Sequence, residues 1–600
     1  MLNKINSYFD DDFPLKVYNT VMKTVITTLN SKFIHSSLAL RTLKAYCQED
    51  YPDILLLEFS INDLYERIIS EVVKQQPDLL CFSCYIWNIG QTMDIIDTIK
   101  KILPDCRILL GGPEVSYDGT ELMGEYPFID YIAVGEGEMT FHELLDCLYE
   151  RGNFSQIHGL IWRDGANICF NGIRAPLIMD SVPFVYPKGF EELSNKIIYY
   201  ETSRGCPFQC QYCLSSTTGK VRLLSLERVK QELAYFIHCG VPQVKLVDRT
   251  FNCDPARARE IFKFIIDMGG KTNFHFEMAG DLIDDETLDI LSSAPVGLFQ
   301  LEIGIQSTKD ITLKAIKRKT DFNKISRAVT KIISGNNVHV HLDLIAGLPE
   351  EDIIAMAHSI NEVFELRPHR LQLGFLKLLK GSGLRSSAQS YEYNFTSYPP
   401  YEVLSNNVIS YKDLVSIKQI EELIEQYYNS HRFDKTINYM IGLYKKDAFH
   451  LFQDFSTYWL GKRYFNYSHS NIRLYEIIHQ FGETLDIVDQ VLFKELLLFD
   501  YIRHEKPNRY PKGLEPVRNE LITDRIHSFL RDEDNIKKFV PYLEGYSAKQ
   551  ALRIIHIEVF QHHIDQKEED TYTQGQTAIL FDYQCPCGVA GEASIARVEI

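Results

Sequence analysis

Short apolar runs alternate with amphipathic helical segments in two successive series along this chain. In the first series the runs are Thr24–Thr27, Ile54–Phe59, Leu79–Cys84, Arg107–Gly111 and Tyr131–Gly135. Strands about 25 residues apart, with a helix between each pair, predict an α/β domain with a doubly wound, Rossmann-like parallel sheet.

The second series has a similar rhythm and one more run. Its members are Ile197–Glu201, Gln243–Val247, Phe274–Met278, Leu298–Ile303, Val338–Ile345 and Arg370–Leu376. Six strand–helix units are too few for a closed eight-stranded barrel, so they predict an open, partial (βα)6 barrel. Long helical patterns, such as Leu485–Tyr501, then predict a mostly helical C-terminal domain.

These patterns divide the chain into five parts. They are an N-terminal extension (1–22), an α/β domain (23–152), a hairpin and linker (153–196), the partial barrel (197–385) and a helical domain of unknown role (386–600). The first strand begins directly after Met22, so either Met1 or Met22 can be the start of the protein.

Composition and charge restrict the location and the partners. The net charge of -18 gives no overall basic footprint and argues against nucleic acid as a partner. No apolar stretch reaches the roughly 18 residues of a membrane span, and the acidic N-terminus does not resemble a signal peptide. The odd count of 13 cysteines fits reduced thiols and a cytoplasmic protein.

Three cysteines lie close together, directly after the first strand of the second series. Cys206, Cys210 and Cys213 form a C-x3-C-x2-C pattern in the segment ETSRGCPFQCQYC. Each thiolate can bind one iron of a 4Fe-4S cluster, which leaves the fourth iron open to a small ligand. The alternatives are reduced core thiols or a zinc knuckle, but no well-spaced fourth Cys or His follows the triplet for zinc.

Four further segments follow the cysteine loop, one at each of the next four strands of the second series. They are KLVDRTFN at residues 245–252, FHFEMAGDL ending the third strand, LEIGIQS ending the fourth, and DLIAGLPE at residues 343–350. Together with the triplet they resemble the radical SAM superfamily, in which the open iron binds S-adenosyl-L-methionine (SAM). The resemblance implies that Tyr212 lies against the adenine. The candidate SAM-binding residues are Tyr212, Glu277, Gly304, Gln306, Ser307 and Gly347. Glu277, Gln306 and Ser307 can instead cap the following helix.

The strand ends of the first domain exclude two common ligands. Thr27–Ser31 contains no glycine for a dinucleotide, and Cys81–Cys84 contains no acid for a phospho-receiver. Glycines at two other strand ends leave room for a broad, flat ligand. With the barrel that follows, these ends resemble the cobalamin-binding branch of the radical SAM superfamily, in particular a family with an uncharacterised C-terminal domain; a ligand-free scaffold is the alternative. The candidate cobalamin-binding residues are Asn30, Ser83, Gly111, Gly112, Pro113, Glu114, Gly135, Glu136 and Gly137.

One common cobalamin motif, D-x-H-x-x-G, is absent. His35 lies in the equivalent loop, but Phe33 and Leu38 replace the Asp and the Gly. We therefore expect cobalamin to bind in a base-off form without a protein imidazole on cobalt. His35 is expected to be a packing or capping residue.

The resemblance implies a radical SAM enzyme of the class B methyltransferase type. Such an enzyme methylates an unactivated carbon through a 5′-deoxyadenosyl radical and methylcobalamin. The substrate, a small molecule or a peptide, is not identified, and neither are catalytic residues that act on it. A one-electron donor such as flavodoxin or ferredoxin is implied as a partner, and no membrane.

Three alternatives to methyl transfer stay open. The first is cyclisation or rearrangement by a cobalamin-binding radical SAM enzyme. The second is RNA modification of the methylthiotransferase type, for which Cys585 and Cys587 are the spare thiol pair, although they are expected in loose coil. The third is a corrinoid-binding module without turnover.

Overall fold

A computed structural model describes residues 22–186, 190, 193, 195–486, 488–516, 520–565, 572–587 and 592–600. Of the expected N-terminal extension, 1–22, all but Met22 lies outside these residues. The chain divides into two units, Met1–Pro187 and Lys188–Ile600.

The first unit is built on a seven-stranded sheet. Its elements are β1 (Thr24–Asn30), α1 (Leu38–Cys47), β2 (Leu55–Ser60), α2 (Tyr65–Gln75), β3 (Leu79–Ser83), α3 (Ile89–Ile102), β4 (Arg107–Gly111), α4 (Gly119–Glu125), β5 (Tyr131–Ala133), α5 (Glu138–Leu148), β6 (Leu160–Asp164) and β7 (Asn167–Phe170). The strand order is β2-β1-β3-β4-β5-β6-β7, with β1 to β5 parallel and the β6–β7 hairpin antiparallel.

Both faces of this sheet are buried, as in other doubly wound folds. Alternate residues of β3 enter opposite cores: Leu80 and Phe82 pack on one face, and Leu79 and Cys81 on the other. The strand order reverses at β1 and β3, and ligands of such sheets bind at the carboxyl ends of the strands near this point.

The second unit begins with a partial barrel. Its elements are β8 (Ile198–Tyr200), β9 (Ser203–Arg204), β10 (Arg222–Leu223), α6 (Leu226–His238), β11 (Gln243–Leu246), α7 (Pro255–Met268), β12 (Asn273–Met278), α8 (Asp285–Ser292), β13 (Phe299–Gln306), α9 (Asp310–Ala315), α10 (Phe322–Gly335), β14 (His339–Ala346), α11 (Ile353–Glu365) and β15 (Arg370–Phe375). Strands β8 and β11 to β15 form a parallel six-stranded sheet in sequence order, which confirms the predicted open (βα)6 architecture.

The two faces of the barrel strands differ in polarity. On β14, Val340, Leu342 and Leu344 are fully buried against the helices, whereas His339 and His341 alternate with them on the opposite, inner face. A barrel interior is normally filled by branched apolar residues, so this polar inner row marks the interior as a place for polar ligands.

The C-terminal region is mostly helical, as predicted, and also contains strands. Its elements are α12 (Gly383–Ser386), β16 (Asn394–Phe395), β17 (Val403–Ser405), α13 (Tyr411–Leu423), α14 (Asp434–Leu443), α15 (Ala448–Lys462), α16 (Asn471–Gly482), α17 (Gln490–His504), α18 (Glu520–Phe529), α19 (Glu533–Phe539), α20 (Ala548–Ala551), β18 (Ile555–His562), β19 (Gln574–Cys587) and β20 (Glu592–Val598). The expectation of loose coil around Cys585 and Cys587 was wrong, because both residues belong to β19. That strand pairs with β18 and β20 in an antiparallel sheet.

Among the described residues, no helix has both the length and the apolar character needed to cross a bilayer.

Candidate functional site

The cysteine loop lies between β9 and β10, which pair as a short antiparallel ribbon. The loop begins with Gly205, whose φ of +101° suits glycine and whose missing side chain lets the loop approach the Lys220 carbonyl. Its middle is held by two backbone hydrogen bonds, from Gln211 N to the Ile316 carbonyl (2.9 Å) and from Leu384 N to the Gln211 carbonyl (2.9 Å). These contacts fix the loop over the carboxyl ends of the barrel strands.

Cys206, Cys210 and Cys213 all line one cavity of about 180 Å³ at these strand ends. Cys210 is buried and the other two are half-buried. In the described part of the chain, no three His, Cys, Asp or Glu side chains converge on a single ion position. A cubane cluster does not require such convergence, because each thiolate binds a different iron. The sulfur donors and their shared cavity therefore fit a cluster better than a zinc ion.

A half-buried arginine contacts the loop. Arg318 Nη1 donates to Tyr212 Oη (3.1 Å) and lies 3.7 Å from Cys210 Sγ, and Nη2 donates to the Gly304 carbonyl. Burial raises the pKa of Tyr212, which keeps its hydroxyl protonated. The guanidinium thus links the cysteine loop to β13.

The rest of the cavity is lined by residues at the ends of four adjacent strands. These residues are Arg249, Thr250, Glu277, Met278, Ala279, Glu302, Gly304, Gln306 and Asp343. Asn252 holds two of the strand ends together, since its side chain donates to the Ala279 carbonyl (2.8 Å) and accepts from Ala279 N (2.9 Å).

Three carboxylates in the lining differ in their surroundings. Burial alone would raise the pKa of Glu302, but a hydrogen bond from His275 and the charge of Lys245 lower it to about 2. Burial raises the pKa of Glu277, and the neighbouring Glu302 raises it further. Burial also raises the pKa of Asp343. One fixed anion therefore lies among carboxyl groups that take up a proton more readily.

Four of the six candidate SAM-binding residues line this cavity: Tyr212, Glu277, Gly304 and Gln306. Gln306 has a left-handed φ of 73°, and its buried Oε1 has no hydrogen-bond partner among the described residues. An unsatisfied buried acceptor and a costly backbone conformation at one residue are typical of a ligand site.

The other two candidates, Ser307 and Gly347, lie outside the lining. Ser307 is fully buried and donates to Glu351 Oε1 (2.5 Å), and the carbonyl of Gly347 accepts from Tyr393 Oη (2.9 Å). Gly347 has a φ of +90° and lies near Val403 rather than near the cysteine loop. Through these bonds Ser307 holds Glu351 and Gly347 holds Tyr393, and neither residue faces the cavity.

Sequence reasoning missed Arg249, Glu302, Arg318 and Asp343. Three of them could have been found: Glu302 and Asp343 occupy inward positions of strands that alternate in polarity, and Arg249 directly follows β11. Arg318 lies in the turn after α9, where no periodic pattern marks it. Cys253 lines a neighbouring groove together with Cys206.

In the first unit, Asn30, Ser83 and Gly111 end the adjacent strands β1, β3 and β4. The Asn88 side chain fixes this edge, because its Nδ2 donates to the carbonyls of Ser83 (3.0 Å) and Leu29 (3.1 Å). The predicted residues of these three strands therefore share one edge of the sheet.

The glycines beyond β4 and β5 have different surroundings. Gly112 has a φ of +103°, and a side chain there would come within 2.5 Å of the Cys84 carbonyl oxygen. A side chain at Gly135, also with positive φ, would meet nothing within 4 Å, so the space at this strand end is open. Gly137 immediately precedes α5. Open space beside backbone and small side chains fits a flat ligand such as a corrinoid.

Hydrogen bonds within the first unit involve Glu114, Glu136 and His35. Glu114 is buried, with its backbone N donating to the Cys84 carbonyl (3.3 Å), and Pro113 precedes it in the same turn. Glu136 Oε2 accepts from Leu177 N (3.1 Å). The carbonyl of His35 accepts from Asn30 Nδ2 (3.2 Å). His35 thus takes part in the local backbone structure of the β1–α1 loop.

The chain matches three protein families in succession. It matches the B12 binding domain over residues 24–145, the radical SAM superfamily over residues 200–361, and a protein family of unknown function, DUF4080, over residues 389–581.

Several curated proteins are similar to part of this chain. The chain is 25% identical over 370 residues to the cobalamin-dependent radical SAM methyltransferase TokK of Streptomyces tokunonensis, covering 58% of this chain and 53% of TokK. It is 24% identical over 310 residues to a hopanoid C-3 methylase of Methylococcus capsulatus (49% and 58% covered), and 27% identical over 306 residues to an anaerobic magnesium-protoporphyrin IX monomethyl ester cyclase of Synechocystis (48% and 59% covered). The chain spans about half the length of the curated relatives it matches.

Two solved structures share the fold. OxsB, a cobalamin-dependent SAM radical enzyme solved with aqua-cobalamin and SAM, superposes with a TM-score of 0.54 at 16% identity, covering 88% of this chain and 82% of OxsB. TsrM of Kitasatospora setae, a radical SAM methyltransferase solved with cobalamin and a [4Fe-4S] cluster, gives 0.52 at 15% identity, covering 63% and 79%.

A B12-binding domain followed by a radical SAM domain defines the class: this chain is a cobalamin-binding radical SAM protein. Within that class it belongs with the proteins that carry a C-terminal DUF4080 domain. This confirms the family resemblance and the fold class predicted from the sequence. The cofactors of the class are a 4Fe-4S cluster, SAM and cobalamin.

Proposed function

We propose that this protein is a cobalamin-dependent radical SAM methyltransferase that acts on an unactivated carbon. The observation that carries the proposal is the placement of Cys206, Cys210 and Cys213 around one cavity at the carboxyl ends of a parallel six-stranded sheet. When bound, the cluster supplies the electron that cleaves SAM, and cobalamin supplies the methyl group.

In this proposal, different residues of the cavity bind the cluster and SAM. The three cysteines hold the cluster, and Tyr212 and Gln306 orient SAM beside it. The free Oε1 of Gln306 can accept a hydrogen bond from the ligand.

The polar interior of the barrel favours a polar substrate. Below the cavity, Lys245, His275 and His341 face inward, and Glu302 and Asp343 reach the cavity itself. These polar groups give a lipid chain little apolar surface to pack against, whereas they can hydrogen-bond to a polar ligand. We therefore infer a small molecule, or a peptide side chain, with hydrogen-bonding groups.

Methyl transfer is preferred over other radical chemistry because several relatives are described as methyltransferases. The similarity to magnesium-protoporphyrin cyclases supports cyclisation as a second candidate. In either case we propose base-off cobalamin, a cytoplasmic location, and a flavodoxin or ferredoxin as electron donor. We also propose that the C-terminal domain shapes the substrate pocket.

The test uses the anaerobically reconstituted full chain, dithionite, cobalamin and SAM with an isotopically labelled methyl group. Formation of 5′-deoxyadenosine and transfer of label to the corrinoid would support the proposal. Formation of 5′-deoxyadenosine without label on the corrinoid would favour the non-methylating alternative. Absence of both would contradict the radical SAM function. Nitrogen hyperfine splitting from a protein histidine in the Co(II) EPR spectrum would contradict the base-off assignment.

A further inference from the structure

Arg318 connects three parts of the barrel mouth from a single side chain. Its backbone N donates to the Leu313 carbonyl (2.9 Å), which fixes the turn after α9. From there Nη1 reaches Tyr212 Oη (3.1 Å) and Cys210 Sγ (3.7 Å), and Nη2 donates to the Gly304 carbonyl. One planar group thus bonds both the cysteine loop and β13.

The charge of this guanidinium is poorly compensated by neighbouring protein groups. Its partners are a thiol, a phenol and a backbone carbonyl, and its Nε has no hydrogen-bond partner among the described residues. Arginine stays protonated in proteins. A full positive charge therefore lies against the sulfur of a residue assigned to the cluster.

We propose that Arg318 is a positioning residue that fixes the cysteine loop on β13 and raises the reduction potential of the cluster held by that loop. This inference rests on the proposed function, since it requires the cluster on Cys206, Cys210 and Cys213.

The physical reason is electrostatic. One-electron reduction adds a negative charge to the cluster, and hydrogen bonds and positive charge at the sulfurs stabilise the reduced state. A guanidinium stabilises that charge more than a neutral hydrogen bond does, particularly where water is excluded. Tyr212 also bonds Arg318, but its hydroxyl contributes no net charge. Loss of the phenol should therefore change the potential less than loss of the guanidinium.

The test compares Arg318→Gln and Tyr212→Phe with the wild-type full chain. The measurement is a redox titration of the reconstituted cluster followed by EPR, without SAM or substrate, together with iron and sulfide content. For Arg318→Gln we expect the reduction equilibrium to become about tenfold less favourable, a shift of about 59 mV to more negative potential. For Tyr212→Phe we expect a smaller shift than for Arg318→Gln. Equal potentials in Arg318→Gln and wild type would overturn the proposal.

Arg318→Met keeps the proposal testable if the glutamine variant does not retain a cluster. Methionine has an unbranched stem and no charge, so this variant should also have a more negative potential than the wild type. A wild-type potential in this variant would overturn the proposal. A wild-type chain that binds no iron would instead contradict the proposed function, so the two failures are distinguishable.

Discussion

Lys245 Nζ lies 3.1 Å from Glu302 Oε2, although strand β12 separates their strands in the sheet. His275, on β12 between them, approaches the same oxygen at 2.9 Å. Inward side chains of three neighbouring strands therefore share one carboxylate beneath the cavity. Because burial would otherwise disfavour the anion, this arrangement keeps Glu302 ionised where a barrel usually has apolar packing.

Replacing this shared anion should destabilise the barrel. In Glu302→Gln, Lys245 loses its partially buried counter-charge, and we expect a loss on the order of 2–3 kcal/mol, visible as a lower Tm. Glu71→Gln is the matched control, since Glu71 pairs with Lys74 on the exposed surface of α2 and such pairs contribute little. Equal Tm changes in the two variants would show that the contacts of Lys245 and His275 with Glu302 stabilise the protein no more than an exposed ion pair does.

Gly112 should be intolerant of any side chain. Its φ of +103° and a 2.5 Å approach to the Cys84 carbonyl oxygen predict that Gly112→Ala lowers Tm and weakens cobalamin binding, at a cost on the order of 1–3 kcal/mol. Gly124 lies in helix α4, and a methyl group added there would meet nothing within 4 Å. Gly124→Ala should therefore retain cobalamin, as measured by absorbance after gel filtration. Retention of wild-type cobalamin content and Tm by Gly112→Ala would contradict the account of this turn.

Glu351 should make stability depend on pH. Burial raises the pKa of this carboxyl from 4.5 to about 7, even though Ser307 and Ser359 donate to it. Between these values the unfolded chain has released the proton that the folded chain still holds, so stability falls as pH rises from about 4.5 to 7. Glu351→Gln should remove this fall and be more stable than wild type at pH 8, on the order of 3 kcal/mol.

Thermal denaturation from pH 5 to pH 8 measures this effect. Glu365→Gln, at the exposed end of the same helix α11, is the control and should follow the wild-type profile. A parallel profile for Glu351→Gln and wild type would show that Glu351 does not titrate in this range.

The sheets could be predicted from the sequence because both faces of parallel strands are buried, which produces apolar runs of recognisable length. Leu79–Cys84 was predicted as a strand and forms β3, Leu79–Ser83. In the barrel strands, polar and apolar residues also alternate. In β14 the polar residues are His339, His341 and Asp343, at every second position. That period identifies the polar interior without a structure.

Other features depend on contacts between distant parts of the chain. Arg318 and Cys210 are 108 residues apart in the sequence. A local hydrophobic pattern cannot predict a contact at that separation. Ser307 was expected at the ligand because it directly follows β13, but its hydroxyl donates to the buried Glu351. The segment around Cys585 was expected to be coil, whereas it belongs to β19, which pairs with β20 at Cys587.

The central claim is that Cys206, Cys210 and Cys213 hold the iron of this protein. The most direct test is iron and sulfide content of anaerobically reconstituted full-length variants in which each of these residues is replaced by serine. Cys239→Ser and Cys253→Ser are the controls: Cys239 is exposed, and Cys253 lies beside Cys206 but outside the cavity shared by the three. We predict that each triplet variant loses the cluster and that both controls keep it; wild-type iron content in the triplet variants would contradict the account.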